Sequence, residues 1–145
     1  MERIKALSTG SKLVLVAGTA LFLNLSLTWQ KLVVDFGPAG RGERLLDGWD
    51  AWGLLIGIVT LGLVVLTVLL HLTDVELPAD IAWERVTLAA AGAVLLLTVV
   101  KNLTDAGSTL VSYVGIALAA LVLVGAYLEV REMRAAARSS GPVRT

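Results

Sequence analysis

Two sets of polar residues fall at helical spacing beside long apolar runs. Asn24, Thr28, Lys31 and Asp35 lie at i, i+4, i+7 and i+11, and Thr98, Lys101, Asn102 and Asp105 at i, i+3, i+4 and i+7. On a helix each set makes one stripe, the first only if its helix reaches Asp35. Polar groups at membrane depth are costly, so each raises a functional hypothesis. The chemistry available is a small polar chamber centred on Lys101, Asn24 and Trp49, with the Lys101 ammonium binding an anionic ligand or lipid. The competing reading is a structural network in which Lys101 pairs with Asp35, Asp50 or Asp105, while Asn24 and Thr28 bond to neighbouring helices. A lysine near a helix end can also extend to lipid headgroups. The structural reading is preferred. The candidate cluster is therefore Asn24, Thr28, Lys31, Asp35, Trp49, Asp50, Lys101, Asn102 and Asp105.

The rest of the inventory argues against reaction chemistry. There are no cysteines, which removes disulfides, thiolate nucleophiles and Cys-based zinc sites, and the single histidine, His71, builds no multi-histidine metal site. No nucleophile stands beside a base, and no paired carboxylates lie within an apolar run. The expectation is a non-enzyme with no cofactor or metal. His71 reads as an interfacial, solvated histidine, and Glu84-Arg85 as an interfacial charge pair. The formal charge is +0, with 12 Lys+Arg against 12 Asp+Glu, so no basic excess points to nucleic acid. Transport gains little support, because none of the apolar runs contains the proline that marks many broken transporter helices.

The elements that must position these residues follow from composition. The chain is 57% hydrophobic and 17% charged, with mean hydropathy +0.82, and its apolar residues come in blocks instead of alternating. A soluble domain of 145 residues could not hide that much apolar surface. Crossing about 30 Å of hydrocarbon takes roughly 17–25 residues of helix. Four blocks qualify, at about 13–29, 51–72, 83–102 and 109–128, the third only if Trp83, Glu84 and Arg85 sit among the headgroups. Backbone in lipid must satisfy its own hydrogen bonds, so the blocks are expected as helices. The first has the basic start of a signal peptide, but Leu27-Thr28-Trp29-Gln30-Lys31 offers no small-x-small cleavage site, and it reads as a retained anchor.

Orientation follows from the flanks. With the N-terminus cytoplasmic, Arg3, Lys5, Lys12, Arg85, Arg131, Arg134, Arg138 and Arg144 lie inside, against Lys31, Arg41, Arg44 and Lys101 outside. The aromatic belt agrees, with Trp29, Trp49, Trp52 and Tyr113 at the outer interface and Trp83 and Tyr127 at the inner one. Both termini are thus expected in the cytoplasm, at the plasma membrane.

The outer loop, 30–50, is the only connection long enough to fold on itself. Lys31 to Phe36 has strand composition, Gly37-Pro38-Ala39-Gly40-Arg41-Gly42 turn chemistry, and Glu43 to Leu46 the makings of a return strand, which together suggest a small β-hairpin. Pro78 and Asp80 look like the start of the third helix. A tight turn at Asp105-Ala106-Gly107 precedes the fourth, and such short connections force neighbouring helices antiparallel. The expected fold is an all-α membrane protein: an antiparallel up-down-up-down four-helix transmembrane bundle over 1–130, with the hairpin in the outer loop. Residues 131–145 are expected as a cytoplasmic helical extension that frays by Ser139-Ser140-Gly141-Pro142. Gly53 and Gly57, Ala89 and Ala93, and Gly115 and Ala119 share a small-xxx-small spacing that suits close helix packing, either within one bundle or in a homodimer.

Trp29, ending the first apolar run, and Gly48-Trp49-Asp50, ending the outer loop, give the chain a pattern that resembles a group of small four-helix membrane proteins common in actinobacteria. Members also have a basic N-terminus, and many carry Pro where this chain has Thr28. The resemblance implies an uncharacterised multi-pass membrane protein and carries no catalytic residue across. Claudin-type proteins also hold a Trp-containing motif in the first outer loop, but pair it with two cysteines, which this chain lacks. The leading expectation is a protein that acts by association, as an accessory subunit or homo-oligomer, with the lipid bilayer and a membrane partner as its contacts. The alternative is the anionic-ligand or lipid site beneath the outer loop.

Overall fold

The computed structural model describes residues 7–139. Among the described residues four helices carry the fold: α1 (Thr9–Asn24), α2 (Ala51–Leu72), α3 (Trp83–Thr104) and α4 (Leu110–Ser139). Between α1 and α2 stand strands β1 (Thr28–Asp35) and β2 (Arg41–Asp47), which form a two-stranded antiparallel sheet. The expected hairpin is present, with both strands longer than the composition suggested. Gly37–Ala39 form a single 3-10 turn at its tip.

The first helix starts and stops earlier than its apolar run. Ser8 caps it by accepting a hydrogen bond from the Ser11 amide at 3.0 Å, which is why it begins at Thr9. It ends at Asn24, where the Ser26 and Leu27 amides donate to the Leu23 and Asn24 carbonyls, both at 3.0 Å, and the chain turns into β1. The stripe from Asn24 to Asp35 therefore does not form on a helix: Thr28, Lys31 and Asp35 are strand residues. Pro78 to Asp80 likewise form no first turn of α3, which begins at Trp83; the Pro78 carbonyl instead accepts the Trp83 indole N–H at 3.0 Å.

The helices pack in a ring in chain order, and α1 closes it against α4 in the most extensive interface. Contacts at both ends fix the directions. The start of α1 meets α4 near Glu129, and its end meets α4 at Val111. Gly18 of α1 lies against Val64 of α2, Asp50 before α2 pairs with Lys101 at the end of α3, and Asn102 of α3 bonds Ser112 of α4. Each helix is thus antiparallel to its ring neighbours. The interior is filled by Val14, Leu21, Ile56, Leu63, Val94 and Val122, all at most 2% exposed. Two buried threonines satisfy their hydroxyls within their own helix, Thr67 donating to the Leu63 carbonyl at 2.9 Å and Thr98 to the Val94 carbonyl at 2.7 Å, whereas the buried hydroxyls of Thr60 and Thr87 have no partner among the described residues.

The outward faces are as apolar as the core. Val16, Leu23, Ile58, Leu61, Leu96 and Val124 are all exposed. Among the described residues α2, α3 and α4 are long and apolar enough to cross a membrane, while α1 has 16 residues. α4 runs past the bundle and carries exposed Arg131, Glu132, Arg134 and Arg138. It is still helical at Ser139, where fraying is expected to begin; the rest of that stretch, 140–142, lies outside the described residues, as do Arg3 and Lys5.

Candidate functional site

The polar residues gather at the hairpin end of the ring. Lys101, on the last turn of α3, is completely buried, and its Nζ lies 2.5 Å from Asp50 Oδ2 and 3.0 Å from Asp105 Oδ2. Asp105 is its i+4 neighbour, delivered by the turn that follows α3. Asp50 comes from the loop before α2 and does two jobs, since its Oδ1 accepts the Gly53 amide at 2.8 Å and caps that helix. The Trp29 ring forms the remaining wall, 5.6 Å from Nζ to its centroid.

Trp29 reaches this position because the hairpin is irregular at its base. The pairing steps from Thr28↔Asp47 to Gln30↔Leu46, so Trp29 is a bulge residue with no partner, and its ring turns into the bundle. Its indole N–H donates to the Asn24 carbonyl at 2.9 Å. Gly115 makes room: a Cβ there would stand 2.6 Å from the indole. Trp49 is seated in the same way on α2, where a Cβ at Gly57 would stand 2.5 Å from its ring. Its indole N–H donates to the Ser26 hydroxyl at 3.0 Å, and Phe22 packs edge-on at 5.2 Å. Gly53 lies against the Gly48 carbonyl. Three small residues singled out as helix-packing positions, Gly53, Gly57 and Gly115, are thus seats for the loop residues Gly48, Trp49 and Trp29.

The other small residues divide. Ala119 lies in the core, whereas Ala89 and Ala93 lie on the outward face of α3. A close helix approach falls outside the small-xxx-small pairs. At Gly10 a Cβ would stand 2.6 Å from the Gly125 carbonyl oxygen and 2.5 Å from the Glu129 nitrogen, so α1 and α4 touch backbone to backbone. No spacing rule within one helix shows that two isolated glycines, one on each of two helices, will face each other.

Around the lysine the network is dense. Asn24 donates to the Val111 carbonyl at 3.3 Å, Asn102 to the Ser112 hydroxyl at 2.6 Å, and Thr109 to the Thr28 carbonyl at 2.6 Å. The turn after α3 docks on β1: the Lys31 amide donates to the Gly107 carbonyl at 2.9 Å. Gly107 has φ +70 and lies against the Lys31 carbonyl, a position that leaves no room for a side chain. Lys31 and Asp35 themselves point away from this cluster. Both are exposed on the hairpin, and Asp35 pairs with Arg41 at 3.3 Å.

This arrangement holds the hairpin and four helix ends together. Of the three carboxylates the sequence offered to Lys101, it takes Asp50 and Asp105 and leaves Asp35 to Arg41. The ammonium, fully buried and matched by two carboxylates, presents no free charge to an anion. The hairpin above it is the exposed feature. One face carries Lys31, Val33, Asp35, Arg41, Glu43 and Leu45, all exposed, and the other is partly covered at Leu32, Gly42 and Leu46.

At the opposite end the chain's one histidine is not simply solvated. His71 Nε2 lies 3.0 Å from Glu129 Oε1, and the Ser11 hydroxyl 3.4 Å from the same nitrogen, so α1, α2 and α4 meet there. Glu84 and Arg85 form no ion pair with each other among the described residues. Compared with known proteins, the chain matches no family model, no curated protein and no solved structure.

Proposed function

We propose that the chain is a four-span integral membrane protein of the plasma membrane, with both termini cytoplasmic. It carries out no catalysis and acts by association through its outer hairpin. The spacing of its charges supports the bilayer reading. Asp50 and His71 mark the two polar ends of α2, 21 residues apart, or about 31 Å at 1.5 Å per residue. That matches a hydrocarbon core of about 30 Å. Between these levels the outward faces of α2, α3 and α4 are apolar, the reverse of a soluble bundle. α1 runs between the same two ends of the ring, with Gly10 beside Glu129 and Asn24 beside Val111.

The observation that carries association is the hairpin. An isolated two-stranded sheet is marginal in water. This one is clamped at its base by Trp29, Gln30 and the Gly107 turn, yet it presents Val33 at 65% and Leu45 at 57% exposure among charges of both signs. The outer edge of β2 is unpaired along its length among the described residues. A rigid, amphipathic edge of this kind suits a protein partner or a second copy.

The test is cross-linking in native membranes followed by purification in mild detergent, comparing the natural chain with Val33→Asp and Leu45→Asp. The expected result is a cross-linked partner that both variants lose while their thermal stability is unchanged. A chain that stays strictly monomeric with no co-purifying protein, or variants that keep the cross-link, would overturn the association reading.

A further inference from the structure

The end of the bundle opposite the hairpin holds a cavity of about 290 Å³ where α2, α3 and α4 meet. Its wall sets Glu84, Glu129, His71 and Trp83 beside the apolar side chains of Ile81 and Met133. Glu129 is 5% exposed and only half satisfied. Its Oε1 takes His71, while its Oε2 is buried with no hydrogen-bond partner among the described residues. A buried carboxylate oxygen without a donor is costly to leave unmatched. Glu84 adds a second carboxylate on the facing helix. The Trp83 ring is held beside them by its own hydrogen bond to Pro78.

We propose that this cavity binds the primary ammonium end of an amphiphile, R–NH3+. The ammonium donates to Glu129 and Glu84, and its alkyl part lies along Ile81 and Met133. Among the described residues no three His, Cys, Asp or Glu side chains converge as a metal site would require, so the cation that fits brings its own apolar part. A quaternary ammonium lacks the N–H that Oε2 needs and binds more weakly. Two sources carry the shared chemistry, a phosphatidylethanolamine headgroup and a free alkylamine. The proposal is independent of the hairpin, and only its lipid source rests on the bilayer reading.

The test uses the full chain in two arms. In micelles without lipid, hexylammonium is titrated calorimetrically against the natural chain, Glu84→Gln and Glu129→Gln. In nanodiscs, native mass spectrometry compares retention of phosphatidylethanolamine with that of phosphatidylcholine. The expected result is saturable binding in at least one arm, weakened about tenfold or more by each substitution, as the loss of a charge-assisted hydrogen bond implies. Binding in the nanodisc arm assigns the lipid as source, and binding in the micelle arm the free amine. Where Glu129→Gln fails to fold, Glu84→Gln and the cavity-filling Met133→Trp decide. Absence of saturable binding in both arms, or equal binding by Glu84→Gln, would overturn the proposal.

Discussion

Replacing Lys101 by Met removes the one cation between two carboxylates while keeping most of the side-chain volume. Asp105 is then stranded at 7% side-chain exposure, whereas Asp50, at 41%, can still reach water. Breaking a buried pair by deleting one partner costs about 3–5 kcal/mol, and the exposure of Asp50 argues for the lower end, about 3 kcal/mol. The Trp29 ring also loses its cation, a term of up to about 2 kcal/mol for a desolvated pair, and it is included in that figure. The assay is reversible unfolding in mixed micelles, followed by tryptophan fluorescence. Neutralising the stranded acid should recover part of the loss, so Lys101→Met with Asp105→Asn is expected to be more stable than Lys101→Met alone by about 1–2 kcal/mol. A loss below about 0.5 kcal/mol for Lys101→Met, or strictly additive losses in the double variant, would refute the clamp; a mainly ligand-binding lysine would behave that way.

Four further outcomes follow from the same structure. Asp50→Asn keeps an oxygen for the Gly53 amide and loses only the charge, whereas Asp50→Ala loses both, so the alanine variant should be less stable by about 1 kcal/mol in the same unfolding assay. Gly57→Ala drives a methyl into the Trp49 ring and should cost about 1–3 kcal/mol without changing self-association; a shift in oligomer size by light scattering with stability intact would instead make Gly53 and Gly57 a dimer face. Gly10→Ala should cost a similar amount by parting α1 from α4. Gly62→Ala, where a Cβ meets nothing within 4 Å, should leave thermal stability unchanged or raise it by about 0.5–1 kcal/mol.

Much of the helical layout was legible because the apolar blocks between Ala51 and Leu72 and beyond Leu110 are long and unbroken, which leaves little choice of element. The hairpin was legible from the Gly37–Gly42 turn chemistry between two runs rich in apolar residues. The end of α1 was not. Leu25, Leu27 and Trp29 extend the apolar run, and only their alternation with Asn24, Ser26, Thr28 and Gln30 hints that the chain leaves the helix there; nothing local says that Trp29 turns back inward from a bulge. That one turn moved Lys31 and Asp35 off the stripe and out of reach of Lys101. The sequence offers both Asp50 and Asp105 to Lys101; spacing within one helix singles out Asp105, while Asp50 depends on how the loop before α2 packs. The glycines show the same limit: their spacing announced close contact, but only the three-dimensional arrangement assigns two of them to indole rings and pairs Gly10 with Gly125.

With no cysteine in the natural chain, single cysteines read each level of the bundle directly. Ala39→Cys lies at the hairpin tip, Ile58→Cys on the apolar face of α2 and Ala135→Cys on the extension of α4, and all three positions are exposed. Labelling of intact cells with a membrane-impermeant maleimide should modify position 39 alone. Permeabilisation should add position 135, and position 58 should stay unmodified until the membrane is dissolved. Equal labelling of positions 39 and 135 in intact cells, or ready labelling of position 58 in plain buffer, would contradict a bundle whose apolar faces are covered by lipid.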